Sequence, residues 1–175
     1  MNITMKKKLI VTSLLAASVF ASAANAGAIK VTGSIAASPC VIKATNENQN
    51  ITMPAIFESD LSLLTTGGVI DKSAKPIKFE LQTCPALTSN AVVTFKGTSD
   101  GDAFSLGSTV KGVALKLFDK QDKEVNISNG VATSTTALGT QPEQTLEYTL
   151  KYVKTAAPFT QGAVDTTIDF DIIYN

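Results

Sequence analysis

Read two residues at a time, the stretch from Gly162 to Asn175 sorts into two faces. Gly162, Val164, Thr166, Ile168, Phe170, Ile172 and Tyr174 fall on one side, and Ala163, Asp165, Thr167, Asp169, Asp171, Ile173 and Asn175 on the other. The first side is apolar and the second holds three carboxylates, which is the period of a half-buried antiparallel strand. A helix would scatter those aspartates around its circumference. A strand over 162–175 would span about 40 Å at roughly 3.3 Å per residue. No later segment of the sequence is left to pair with its second edge. A long apolar strand at a sheet edge invites association unless something covers it. The expectation is that another polypeptide does.

The alternation recurs near the other end, where Ile29, Val31, Gly33 and Ile35 stand against Lys30, Thr32 and Ser34 until Pro39 breaks the run before Cys40. Val41 to Lys43 continues as a first strand. Ala44 to Asn50 is polar and Asn-rich, hence loop. Ile51 to Phe57 predicts a short strand broken at Pro54, and Ser59 to Ser73 an irregular connection with room for one turn of helix. Ile77, Phe79 and Leu81 mark a strand ending at Cys84, followed by strands over Ala91 to Gly97 and, after a turn, Ala103 to Leu106. Val113, Leu115 and Leu117 alternate with Ala114, Lys116 and Phe118, so that strand is apolar on both faces. The turn Asp119 to Lys123 leads into Val125 and Ile127. Leu146, Tyr148, Leu150 and Tyr152 form a long strand, and Ala156 to Gln161 is the last turn. Short strands at regular spacing with turn residues between them predict an all-β sandwich.

The front of the chain alters the picture of where this sandwich works. Lys6, Lys7 and Lys8 precede an apolar run from Leu9 to Ala21, and Ala24-Asn25-Ala26 supplies the small residues of a cleavage site. That is the pattern of a secretory signal peptide over 1–26, leaving Gly27 as the mature N-terminus. The run is too short to span a bilayer. Of 175 residues, the 149 left after removing 26 suit one domain with an adequate core. Two cysteines, Cys40 and Cys84, in an exported chain predict a structural disulfide, with two free thiols as the alternative.

Composition excludes more chemistry than it offers. Lys plus Arg and Asp plus Glu each number 15, so the formal charge is zero and no nucleic-acid footprint is expected. There is no histidine, hence no Ser-His-Asp triad and no imidazole metal site. Asp165, Asp169 and Asp171 point one way from a strand without a loop to wrap a cation, so a solvated face is expected and no metal. Asp100-Gly101-Asp102 lacks the later glutamate of a calcium loop and reads as a turn. Asn50-Ile51-Thr52 and Asn126-Ile127-Ser128 match the glycosylation sequon, a pattern too common to carry weight. No phosphate-cradling glycine loop occurs. The expectation is a protein without cofactor or catalytic residues.

Four features in sequence order resemble the subunits of bacterial pili (fimbriae) assembled by the chaperone–usher pathway, of the type 1-like major pilin kind. Tyr174 is penultimate and Gly162 opens the final fourteen residues; Ile29, Val31, Gly33 and Ile35 form an apolar stripe with one glycine. PIKFELQTC surrounds the second cysteine, and GVALKLFDKQDKEVNIS and EYTLKYVKT follow. The resemblance covers essentially the whole mature chain.

It implies an incomplete immunoglobulin-like sandwich lacking its seventh strand, with a Cys40–Cys84 disulfide. Residues 27–38 would be a donor-strand extension and 39–175 the pilin domain. The groove would be bordered by the C-terminal strand, with Gly162, Val164, Ile168, Phe170, Ile172, Tyr174 and Asn175 as acceptor and chaperone-binding residues. Ile29, Val31, Gly33 and Ile35 would enter the groove of a neighbouring subunit. The implied partners are other pilus subunits in a head-to-tail polymer, a periplasmic chaperone and an outer-membrane usher, on a path through the periplasm to the surface fimbrium. Residue patterning reaches the same kind of device independently, since an uncovered apolar edge and a detached apolar strand in one chain predict strand addition between copies. Alternatives are a minor or adaptor subunit, a one-domain tip adhesin, or a chain whose first stripe completes its own sandwich.

Overall fold

The computed structural model describes residues 39–86 and 90–175, together with Lys30 and Thr32. The chain divides into Met1–Ile35 and Ala36–Asn175. In the first unit only the exposed Lys30 and Thr32 are described; the stripe Ile29, Val31, Gly33 and Ile35 and the leader lie outside the described residues.

The second unit is a two-layer antiparallel sandwich. One sheet is built from β1 (Val41–Ile42), β2 (Val69–Gln82), β4 (Ser99–Asp100), β5 (Ala103–Phe104), β6 (Val113–Asp119), β7 (Glu124–Val125) and β10 (Gln144–Lys154), in the order β1-β2-β10-β6-β5-β4 with β7 also on β6. The other holds β3 (Asn90–Gly97), β8 (Ile127–Ser128), β9 (Val131–Ala137) and β11 (Ile168–Tyr174), in the order β11-β3-β9-β8. A short α-helix, α1 (Glu58–Ser62), precedes β2.

Alternation decides which side chains meet between the layers. Phe79 and Leu81 of β2, Val93 and Phe95 of β3, Leu115 and Leu117 of β6, and Leu146 and Tyr148 of β10 are all buried there. Phe95 and Tyr148 stack edge-on with centroids 5.0 Å apart, a geometry aromatic pairs favour. β6 is apolar on both faces for a visible reason. Its outward Ala114 packs with Ala103 and Val153 in a second small cluster, and its outward Phe118 lies under the ammonium of Lys151, 4.7 Å from the ring centre.

Several elements differ from the sequence expectation. Val69 to Ser73 is not an irregular connection but the start of β2. The period is hidden because the pairing with β10 shifts between Leu150 and Tyr152, looping out extra residues of β2. Ser73 lies in that bulge; its Oγ accepts from Tyr152 N at 2.7 Å and donates to Ile70 O at 2.6 Å, replacing the interrupted ladder. β9 was not predicted at all. Among the described residues, Ile51 to Phe57 joins no sheet.

The terminal strand begins at Ile168 rather than Gly162. Its partner β3 ends at Gly97, opposite Ile168, after which the chain crosses to β4 in the other sheet. Residues 160–165 therefore run against the loop before β6. Thr160 bridges Lys111, Asp165 N donates to Leu106 O at 3.2 Å, and Thr109 Oγ1 donates to Ala163 O at 3.3 Å. Gly162 permits this approach, because a Cβ there would lie 2.8 Å from Thr109 Oγ1.

Candidate functional site

β11 is an edge strand, and among the described residues no other strand pairs with its second side. Asn175 and Asn90 exchange both main-chain hydrogen bonds, at 3.1 and 2.9 Å. The register with β3 continues unbroken from Tyr174 to Ile168. In an antiparallel ladder such bonded pairs alternate, so Ile173, Asp171 and Asp169 also turn their main-chain groups toward β3. The N–H and C=O groups of Ile168, Phe170, Ile172 and Tyr174 consequently face the open edge. Their side chains are the ones that point inward, yet all four are only half-buried. The outward Asp169 and Asp171 are exposed, as a solvated face requires.

The space beside Ile168 and Phe170 is a cleft. One cavity of about 590 Å³ lies between residues 47–53 and residues 164–170, floored by Phe79, Phe95, Phe104, Leu115, Leu117 and Leu150. A second, of about 470 Å³, continues it, sharing Ile51, Thr52, Met53 and Val164 and reaching Ile56, Val113, Tyr152, Phe159 and Gly162. The two run end to end along one side of the sandwich. Phe170 stacks on Phe79 at the floor, centroids 4.4 Å apart. Burial raises the pKa of Tyr152, which lines the second cavity, and of Tyr174 at the end of β11, and among the described residues the Tyr174 hydroxyl has no hydrogen-bond partner.

Of the residues singled out in the sequence, Ile168, Phe170, Ile172 and Tyr174 share one face of β11. Gly162 and Val164 lie on the leading segment and line the second cavity, and Asn175 closes the ladder with β3. Cys40 and Cys84 are bonded, with Cα atoms 4.3 Å apart. Sequence reading missed the opposite wall, Ile51, Met53 and Ile56. The alternation of Ile51 and Met53 was visible, but it signalled side chains facing the cleft rather than a paired strand. The cleft has an apolar floor and polar rims, and among the described residues nothing pairs with the main-chain groups along its β11 edge, a surface that accepts an extended chain.

An antiparallel sandwich open along one edge strand is thus the class of fold, and the comparisons with known proteins agree. The family model for fimbrial proteins matches residues 29–175. Long polar fimbria protein A of Salmonella typhimurium is 31% identical over 185 aligned positions, covering 99% of each chain. The probable major fimbrial subunit LpfA of Escherichia coli O157:H7 matches with the same identity and coverage. A chain from the structure of a chaperone–usher pilus shares the fold with a TM-score of 0.64 at 21% identity, over 87% of this chain and 97% of that one. The chain belongs to the fimbrial protein family. It is a structural subunit of cell-surface fimbriae and polymerises with other subunits.

Proposed function

We propose that this chain is a major pilus subunit of the chaperone–usher kind, joined head to tail by donor-strand exchange. One observation carries the reading. On β11 the residues with half-covered apolar side chains are the same residues whose main-chain groups face an open edge, so one added strand would satisfy both. Residues 1–26 act as the export leader, 27–38 as the donor extension and 39–175 as the accepting domain. Ile29, Val31 and Ile35 fill the cleft of the next copy, and Gly33 lets the donor backbone come close where the slot is shallow. Each buried side chain contributes roughly 1.5–3 kcal/mol, and each ladder hydrogen bond about 1 kcal/mol net.

Until the donor arrives, a periplasmic chaperone covers the cleft, and an outer-membrane usher exchanges it for the donor at the growing fibre. The role is structural rather than catalytic. The name of the Escherichia coli relative, a probable major fimbrial subunit, favours the major over a minor role.

A fusion tests the reading. Domain 39–175 alone is expected to aggregate, whereas adding GAIKVTGSIAAS after Asn175 through a flexible linker gives a soluble monomer, because the tether supplies the strand at high effective concentration. A stable, cooperatively folding monomer from the untethered domain would overturn the proposal.

A further inference from the structure

Single exposed apolar side chains are ordinary on protein surfaces, but three here lie at opposite ends of β2. Val41 is 50% exposed and pairs with Gln82, the last residue of β2. It adjoins the Cys40–Cys84 bridge, where Cys84 N donates to Pro142 O at 2.9 Å. Phe57, 67% exposed, and Leu63, 94% exposed, flank α1 just ahead of Val69, where β2 begins.

α1 is held in place rather than loosely attached. Leu61 is buried in the core. The Asp60 carboxylate accepts from Phe57 N at 2.8 Å and pairs with Lys72. Lys154 Nζ donates to Leu61 O at 3.0 Å and Leu64 O at 2.8 Å. The turn therefore presents Phe57 and Leu63 outward from a fixed base.

The cleft puts this end in the path of a joining copy. Its second cavity reaches Ile56, next to Phe57. β11 runs away from that cavity, from Ile168 beside the first one to Tyr174. Every ladder in both sheets is antiparallel, and antiparallel pairing is the slightly stronger arrangement. A donor antiparallel to β11 ends at the second cavity. From Ile35 to Cys40 only residues 36–39 intervene, a reach of at most ~18 Å. The donating body is thus held with its Cys40 end against the α1 end of the accepting body.

We infer that Phe57 and Leu63 of one copy dock on the Val41 end of the next copy, a body-to-body contact additional to the strand joint; the inference rests on the donor-strand reading above. Three side chains fall far short of the roughly 800 Å² per partner of a stable interface. The contact does not hold subunits together. It fixes the angle between bodies that the strand has already tethered, and so stiffens the fibre.

The test uses the full-length exported subunit in assembled fibres. Leu63→p-benzoylphenylalanine, irradiated, is expected to cross-link within fibres to Val41 or its neighbours at the disulfide end. The monomer carrying its own tethered donor should give no such product. Fibres of the Phe57→Ser, Leu63→Ser double variant should keep their detergent-resistant ladder yet show a persistence length about half that of the parent, since bodies linked by a strand alone swing freely. Cross-links to the β9–β11 face, no cross-link, or unchanged stiffness would each overturn the contact while leaving strand exchange standing. Fibres from a subunit lacking Gly27 to Ser34 would defeat strand exchange and this contact with it.

Discussion

The rings of Phe79 and Phe170 lie 4.4 Å apart, centre to centre, and tie the last strand to the opposite sheet across the floor of the cleft. Phe79 is fully buried while Phe170 is half-covered. Phe170 is therefore the residue on which the core of one subunit and an incoming strand meet. In the donor-fused monomer, Phe170→Ala should cost about 3 kcal/mol, as buried Phe truncations do. Phe170→Asp should leave no folded protein, since it puts a carboxylate into an apolar slot. Urea unfolding of the fused monomer measures both.

Gly33 is expected to tolerate no large side chain once the donor is in the cleft. Gly33→Phe should leave the domain's own folding intact and reduce joining, through overpacking on the order of 1–3 kcal/mol. Fibre yield by electron microscopy, beside the amount of exported subunit, separates the two effects. Normal yield would mean that the slot opposite Gly33 is roomy.

The disulfide closes a loop with a sequence separation of 44 between two buried cysteines, and it ties β1 to the end of β2. Replacing both cysteines by serine should lower the stability of the fused monomer by roughly 4 kcal/mol, through the wider freedom of the unfolded chain. The midpoint of denaturant unfolding, compared with the bridged parent, checks the figure.

Lys151 makes the pH dependence specific. Its ammonium sits 2.7 Å from Asp122 and 3.1 Å from Asp71. The hydrogen bond to Asp122 is the largest cause raising its pKa above the ordinary 10.5. Lys116, between Glu124 and Asp102, is also raised, its ion pairs outweighing the opposing effect of burial. A lysine that holds its proton more tightly when folded contributes stability that is fully present below the unfolded value. That contribution is lost as pH rises through the folded one. Stability of the fused monomer should therefore decline above about pH 10.5. Lys151→Met should flatten that decline. Because Asp71 and Asp122 are largely exposed, it should change stability at pH 7 by no more than about 1 kcal/mol. Urea titrations between pH 7 and 12 give both numbers.

Alternation in the sequence was enough to define the core strands, the inward residues of β11 and the solvated aspartates beside them. It reports which side chains face apolar surroundings, and that is a local property. β9 escaped because its inward residues, Ala132, Ser134 and Thr136, are small or polar and leave no apolar stripe. The start of β2 escaped because a bulge spoils the period, and only the fold supplies Ser73 to repair the ladder there. Ile51 and Met53 alternate as in a strand and do face the cleft, but among the described residues no strand pairs with them. Residues 162–167 continue the pattern of β11 yet lose their partner where β3 ends at Gly97. Whether an extended segment becomes a strand, an edge or the wall of a cleft depends on which distant segment lies beside its main chain. Only tertiary structure decides that, because the hydrogen bonds of a sheet are made between residues far apart in sequence.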